Sequence, residues 1–118
     1  MKIMITNLLA AILLTGTLAN AEPAEGWASG NLTIKHKGVA HQVILKDRET
    51  GKYNSNAARG YCRGKGHLNG GDATGSYGEG SGPYVWIDSN GKVIETFPAK
   101  DNEGRFTVLV QTFCHSRY

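Results

Sequence analysis

The sequence predicts a small all-β or β-rich domain with at most one short helix, built as a barrel or sandwich of five to seven strands with one disulfide. Three observations support this fold class. Short runs of alternating apolar and polar residues recur along the chain, glycine-rich turns separate them, and the 118 residues include just two cysteines. A chain of this length has room for one domain once its N-terminal leader is set aside.

Residues 1–21 have the three parts of a secretory signal peptide. A lysine stands at the second position, an apolar stretch spans residues 8–18, and small side chains at residues 19–21 suit signal peptidase. We therefore expect cleavage near Ala21, typical of a bacterial protein exported to the periplasm or the medium, with residues 22–118 as a single β-rich domain. The alternative, a membrane anchor, is disfavoured because threonines and an asparagine interrupt the apolar run.

Two hairpins and a central strand are predicted from the alternation. The run GNLTIKHKG is followed at once by VAHQVILKD, so we expect a hairpin that turns at Lys37-Gly38. The runs PYVWID and KVIETF flank Asn90-Gly91, the pair favoured in a tight type I′ turn. The last run, RFTVLVQTFC, carries apolar residues on both faces, which indicates a central strand.

The same alternation predicts the core. Trp86 and Leu109 lie on the opposite faces of their strands, so they form either a second core layer or an exposed apolar site. One segment, NSNAARGY, suggests a helical turn that Asn54 or Ser55 caps. The residues expected to be buried are Leu32, Ile34, Val43, Leu45, Val85, Ile87, Val93, Phe106, Val108 and Val110.

The two cysteines, Cys62 and Cys114, both follow the leader. An even cysteine count in an exported chain indicates a disulfide, and two cysteines allow one intramolecular pairing. Closing so long a loop would stabilise the fold by about 4 kcal/mol. Free thiols or an intermolecular bridge are the alternatives, and no CxxC spacing supports a metal site.

Glycine density is highest between residues 60 and 83, where nine of the first 23 residues are glycine. The segment lacks the Ser or Thr of a Walker-type phosphate loop and the third glycine of a dinucleotide motif, so we expect no nucleotide or other cofactor. Cys62 fixes one end of the segment, and a strand begins at Tyr84. The segment is therefore predicted to be a long functional loop with an irregular strand around residues 74–77. A connection without a function is the alternative.

Charge is uneven along the chain. Without the leader, the chain has twelve basic and ten acidic residues. With histidines taken as neutral, residues 35–67 carry a net charge of +6 and residues 68–103 a net charge of −4. A basic half attracts polyanions or an acidic protein surface. The alternative interpretation is that the two halves fold over each other and partly neutralise.

Five residues that favour binding lie within nine positions at the start of the glycine-rich segment. Basic side chains there would meet an acidic protein or a polyanion, and glycine lets the backbone approach a partner closely. We therefore expect an exported binding protein, such as an inhibitor, immunity or interaction protein. If charge reversal in this stretch leaves binding intact, the interface is expected near Trp86 instead. The predicted partner-binding residues are Arg59, Tyr61, Arg63, Lys65 and His67.

A secreted nuclease-like toxin is the second function class. Imidazole and carboxylate groups could transfer protons during phosphodiester cleavage. The candidates for this chemistry are His41, His67, Glu79 and His115. The chain has no hydrolase elbow and no zinc-protease motif, so an enzyme is the less favoured class. A receptor-binding toxin subunit or an adhesin is a third alternative.

Overall fold

The computed structural model describes residues 23–77 and 80–116. These residues form seven strands and one helix, which confirms the predicted β-rich class with one short helix. No helix in this part of the chain is long and apolar enough to cross a bilayer. The predicted signal peptide and Glu79 lie outside the described residues. The elements are β1 (Gly26–Ser29), β2 (Thr33–His36), β3 (Val39–Asp47), α1 (Ala57–Gly64), β4 (Asn69–Tyr77), β5 (Tyr84–Ile87), β6 (Val93–Phe97) and β7 (Phe106–His115).

The strands join in one sheet with β3 and β7 at its centre. β7 pairs antiparallel with β1, β3 and β4, as expected for a strand with two apolar faces. β3 pairs antiparallel with β2 and parallel with β5, and β6 completes the order β1-β7-β3-β5-β6. A parallel pair needs a long connection, and the segment between β3 and β5, which contains α1 and β4, provides it.

Both predicted hairpins form, but the turn of the second hairpin is not the predicted type I′ turn. Lys37 and Gly38 have φ values of 52° and 80° and join β2 to β3 in the two-residue turn that the sequence predicts. The β5–β6 connection is longer, and Gly91, at 85°, alone has a positive φ there. The Asp88 carboxylate explains the difference, because its Oδ1 accepts hydrogen bonds from the backbone N–H groups of Asn90 and Lys92 at 2.8 and 2.9 Å.

Two apolar clusters occupy the two faces of the sheet, because successive side chains of β3 alternate between them. Every residue of the predicted core is either buried or packed against one of these clusters. Leu109 forms part of a core layer, whereas Trp86 lies at the border of the other. The helix-side cluster comprises Leu32, Val43, Leu45, Ala57, Val85, Ile87 and Leu109. The opposite cluster comprises Ile44, Tyr84, Phe106 and Val108, with Trp86, Phe97 and Val110 packed against it.

The helix is longer than the predicted turn and is anchored at both ends. At its start, the buried Asn54 side chain accepts a hydrogen bond from the backbone N–H of Asn56 at 3.0 Å and donates one to the Ile87 carbonyl at 3.1 Å. Near its end, the predicted disulfide joins Cys62 to Cys114, with a Cα–Cα distance of 5.3 Å. Both cysteines are buried, so the bridge fixes α1 against β7.

The glycine-rich segment is helix and strand over most of its described length, which corrects the expectation of a long loop. A β-carbon at Gly70 would lie 2.5 Å from the Ala58 carbonyl oxygen and 2.6 Å from the Cys62 sulfur. A β-carbon at Gly75 would crowd side chains of Thr107 and Leu45 in the same way. These glycines therefore let β4 pack closely against its neighbours.

Candidate functional site

A surface pocket of about 450 Å³ lies where α1 ends beside β1. We call it the helix-end pocket. Its walls are fixed by the disulfide, which holds α1, and by the pairing of β1 with β7 from Gly26↔Cys114 to Ser29↔Gln111. It is lined by Pro23, Ala24, Glu25, Gly26, Trp27, Ala28, Tyr61, Lys65, His67 and Cys114.

Tyr61 and Lys65 form one wall of this pocket, one helical turn apart. The Lys65 ammonium nitrogen lies 5.5 Å from the centre of the Tyr61 ring, within the range of a cation–π contact. Lys65 is exposed, whereas Tyr61 is half-buried, and burial raises the pKa of the Tyr61 phenol. Like any tyrosine, Tyr61 is protonated at neutral pH, so its phenol can donate a hydrogen bond.

Trp27 also lines this pocket, and the sequence reasoning did not assign it to a site. Its side chain is 59% exposed and meets the Phe113 ring edge-on, with 5.2 Å between the ring centres. Phe113 in turn contacts the His115 ring at 4.8 Å. The one signal in the sequence was an isolated tryptophan in a short polar run, which does not by itself distinguish a binding residue from a core residue.

His67 contributes an imidazole to the pocket just after the helix. Its backbone N–H donates to the Cys62 carbonyl at 3.0 Å, which turns the chain from α1 towards β4. The ring is half-buried, and its Nδ1 atom is buried with no hydrogen-bond partner among the described residues. Tyr61, Lys65 and His67, three of the five predicted partner-binding residues, are thus brought together.

Arg59 and Arg63 lie one turn apart on α1 and do not line the pocket. The exposed Arg59 donates from Nε to the Asn69 side chain at 3.1 Å. Arg63 donates from Nε to the Leu68 carbonyl at 2.9 Å and from Nη1 to the Asn90 side chain at 3.1 Å. Arg63 therefore connects the helix to both the start of β4 and the β5–β6 turn, and a substitution there would act on the fold as well as on the surface.

Of the alternative catalytic set, the three described histidines do not all lie at one pocket. His41 is buried in the β2–β3 hairpin, where its Nδ1 lies 2.8 Å from the Val39 carbonyl oxygen, and it lines a different pocket from His67. His115 lies near the helix-end pocket, since its Nδ1 is 3.6 Å from a carboxylate oxygen of Glu25. Within residues 23–77 and 80–116, no three His, Cys, Asp or Glu side chains are grouped to hold a metal ion.

A second pocket, of about 380 Å³, lies over Trp86, and we call it the Trp86 pocket. The Lys52 ammonium is 5.7 Å from the centre of the Trp86 ring, and the Arg105 guanidinium is 5.1 Å from that of Phe97. Ile94, at 62% exposure, is a further apolar side chain at its border. It is lined by Asp47, Thr50, Lys52, Trp86, Ile94, Glu95, Phe97 and Arg105.

Comparisons with protein-family models, with curated proteins and with solved structures find no match for this chain. The two pockets and the charges that surround them are therefore the features that point to a function.

Proposed function

We propose that this chain is a small exported binding protein that captures an anionic partner at the helix-end pocket. The observation that carries this proposal is the meeting of Tyr61, Lys65 and His67 with the exposed Trp27 around one pocket. Distant parts of the sequence supply these groups, and the disulfide from α1 to β7 together with the pairing of β1 with β7 fixes their separation. Such a site offers an aromatic face, a cation and hydrogen-bonding groups on a rigid frame, which lowers the entropic cost of binding.

The electrostatics of the helix favour an anion. Between Glu49 and Asp72 the chain has no acidic residue, while it has four basic ones in that stretch, three of them on α1 or at its end. Glu25 is the acidic residue in the pocket lining, and it lies beside His115. A partner with negative charge, either a polyanion or an acidic protein surface, would therefore be attracted to this side of the molecule, and more strongly at low salt.

Export is part of the proposal. The predicted signal peptide supports it, and the buried disulfide is compatible with an oxidising compartment such as the periplasm or the medium. In that setting the protein would act as an inhibitor, an immunity protein or another interaction protein.

Heparin serves as the polyanion probe in the test. We compare the salt concentration at which the protein elutes from immobilised heparin for wild type and for the double variant Arg59→Glu with Lys65→Glu. Both side chains are exposed, and the double variant keeps the hydrogen bonds of Arg63 while it loses the single exposed hydrogen bond from Arg59 to Asn69. The matched control is Lys35→Glu with Lys100→Glu, which changes the net charge equally at exposed positions outside the pocket.

The double variant at the helix is expected to elute at much lower salt than the control variant. Circular dichroism should give the same spectrum for all three proteins. If the two variants elute together, total charge rather than this site governs binding, and the proposal is wrong.

A nuclease-like activity is the second candidate, and one observation favours it. The 3.6 Å approach of the His115 imidazole to the Glu25 carboxylate resembles a base with its orienting acid, close to Lys65, which could hold a phosphate. Incubation of the purified protein with RNA tests it. Cleavage that His115→Ala abolishes would make the protein an enzyme, whereas intact RNA would leave binding as the function.

A further inference from the structure

We propose that the helix-end pocket takes an acidic sugar unit of a glycan, with the sugar ring stacked on Trp27 and its negative group beside Lys65. The assignment of a sugar rests on the proposed capture of an anion at this pocket and names the class of that ligand. Two features of the pocket, which a bare anion would not need, favour a sugar. They are an open aromatic face and a carboxylate among the hydrogen-bond donors.

Trp27 presents its ring to solvent because of its place on β1. Ala28 packs against the helix-side cluster, so its neighbour Trp27 points to the opposite face of the strand. There it lies directly across from Phe113 of β7, and the planes of the two rings meet at 79°. An edge contact of this kind covers at most one face of the indole. The 59% exposure of Trp27 therefore leaves a face open to a ligand.

The open face of an indole attracts the C–H groups of a sugar ring. An aromatic ring carries negative charge density on its faces, and the C–H groups on one side of a pyranose are weakly positive. The contact also removes apolar surface of both partners from water. A phosphate or carboxylate group has no such surface, so Trp27 contributes to the binding of a ring rather than of a bare anion.

The aromatic side chains of the pocket suit one stacked ring rather than a row of bases. Tyr61 is half-buried, and the Lys65 ammonium lies 5.5 Å from the centre of its ring, so Trp27 is the more open of the two platforms. Proteins that bind single-stranded nucleic acid stack successive bases on several aromatic side chains along a basic groove. The pocket volume of about 450 Å³ lies within the range of about 300–1,000 Å³ that is typical of small-molecule sites.

The polar groups of the pocket suit hydroxyl groups, which both donate and accept hydrogen bonds. Lys65 and the Tyr61 phenol can donate. Glu25 can accept, because in the described part of the chain both polar contacts of its carboxylate use Oε1, with His115 Nδ1 at 3.6 Å and the Ser116 N–H at 3.3 Å. Its Oε2 would repel a phosphate but would accept from a hydroxyl. Lys65 and Glu25 together therefore favour a ligand that carries hydroxyl groups as well as a negative charge.

Isothermal titration calorimetry at low salt with two anions of equal net charge tests this inference. One probe is a heparin-derived oligosaccharide, and the other is a linear polyphosphate, which has no sugar ring. Trp27→Ala should weaken binding of the oligosaccharide about tenfold and leave binding of polyphosphate unchanged. Trp27→Phe keeps an aromatic face and should restore most of the affinity. Tyr53→Ala is the matched control and should change neither affinity, because Tyr53 is 57% exposed and lies outside the pocket.

The Lys65→Glu variant separates the sugar inference from the proposed function and should bind both probes more weakly. If it binds both as tightly as wild type, or if wild type binds neither, anion capture at this pocket is wrong and the sugar assignment falls with it. If Lys65→Glu weakens both but Trp27→Ala weakens neither, or both equally, anion capture stands and the sugar is overturned. A single-stranded oligothymidine of the same charge is the third probe. A larger loss for it than for the oligosaccharide in Trp27→Ala would overturn the sugar in favour of nucleic acid.

Discussion

The guanidinium of Arg105 meets both carboxylate oxygens of Asp47, with Nη2 2.8 Å from Oδ2 and Nε 3.1 Å from Oδ1. This pair joins the end of β3 to the start of β7, the two central strands of the sheet. Asp47 is buried, and the Arg105 group also lies 4.9 Å from the centre of the Phe106 ring. The hydrogen bonds from Arg105 hold the pKa of Asp47 below its ordinary value.

The first prediction concerns the loss of stability in acid. The pKa of Asp47 is lower in the folded chain than in the unfolded one. The ionised carboxylate therefore adds its full contribution to the free energy of unfolding at pH values above the unfolded pKa of about 3.9. That contribution is lost as the pH falls through the folded value. Asp47→Asn should lower the free energy of unfolding by about 2 kcal/mol at pH 7. It should also weaken the pH dependence measured by urea denaturation in the acid range.

Glu49→Gln is the matched control for this experiment. Glu49 also approaches Arg105, at 3.6 Å, but its side chain is 70% exposed, so its loss should cost less than about 1 kcal/mol. Some acid dependence should persist in Asp47→Asn, because backbone hydrogen bonds lower the pKa of Asp88 as well. Equal effects of the two substitutions at pH 7 would contradict the role given to the Asp47–Arg105 pair.

The second prediction concerns the disulfide. Cys62 and Cys114 are 52 residues apart, so their bridge restricts a large part of the unfolded chain. Cys114→Ser should reduce the free energy of unfolding by roughly 2–5 kcal/mol, measured by thermal or chemical denaturation. Two free thiols in the wild-type protein, detected by mass spectrometry, would contradict this account.

The third prediction concerns the close approach of β4 to α1. Gly70→Ala should destabilise the protein by about 1–3 kcal/mol, because the new methyl group would meet the Ala58 carbonyl and the Cys62 sulfur. Gly26→Ala is the control, since a β-carbon there has no neighbour within 4 Å. Urea denaturation of both variants measures the difference in their free energies of unfolding. If Gly70→Ala were as stable as wild type, β4 would not pack against the helix this closely.

The fourth prediction separates Arg63 from the other basic residues of the helix. Arg63→Glu should lower the free energy of unfolding by about 1–3 kcal/mol, because the carbonyl of Leu68 and the side chain of Asn90 lose their donor. Arg59→Glu, which loses a single exposed hydrogen bond, should change it by less than about 1 kcal/mol. Thermal unfolding distinguishes the two. If the Arg63→Glu and Arg59→Glu variants were equally stable, the hydrogen bonds of Arg63 would not contribute to the stability of the fold.

The sequence was sufficient for features that depend on local pattern. Alternation predicted the core residues on β3, and Lys37-Gly38 predicted a two-residue turn, because in both cases neighbouring residues decide the outcome. Two cysteines allowed one internal pairing, which the structure confirms for Cys62 and Cys114.

Features that depend on distant neighbours were not predictable in the same way. The glycines of β4 were interpreted as a loop, because the need for Gly70 arises from Ala58 and Cys62, which reach it only through tertiary packing. Trp27 was not assigned to the site, because it approaches Tyr61 and Lys65 only when β1 pairs with β7. The side chain of Asp88, rather than the Asn90-Gly91 pair, determined the shape of the second hairpin turn.

Fluorescence of Trp27 tests the central claim, that an anionic partner binds at the helix-end pocket, most directly. The chain has two tryptophans, so a Trp86→Phe variant reports on Trp27 alone. Titration of this variant with a heparin-derived oligosaccharide at low salt should change the Trp27 emission saturably, with a midpoint that rises with salt. The change should be lost when Arg59→Glu and Lys65→Glu are added. Unchanged Trp27 emission while the protein still binds the oligosaccharide would contradict the account, because the anion would then bind elsewhere.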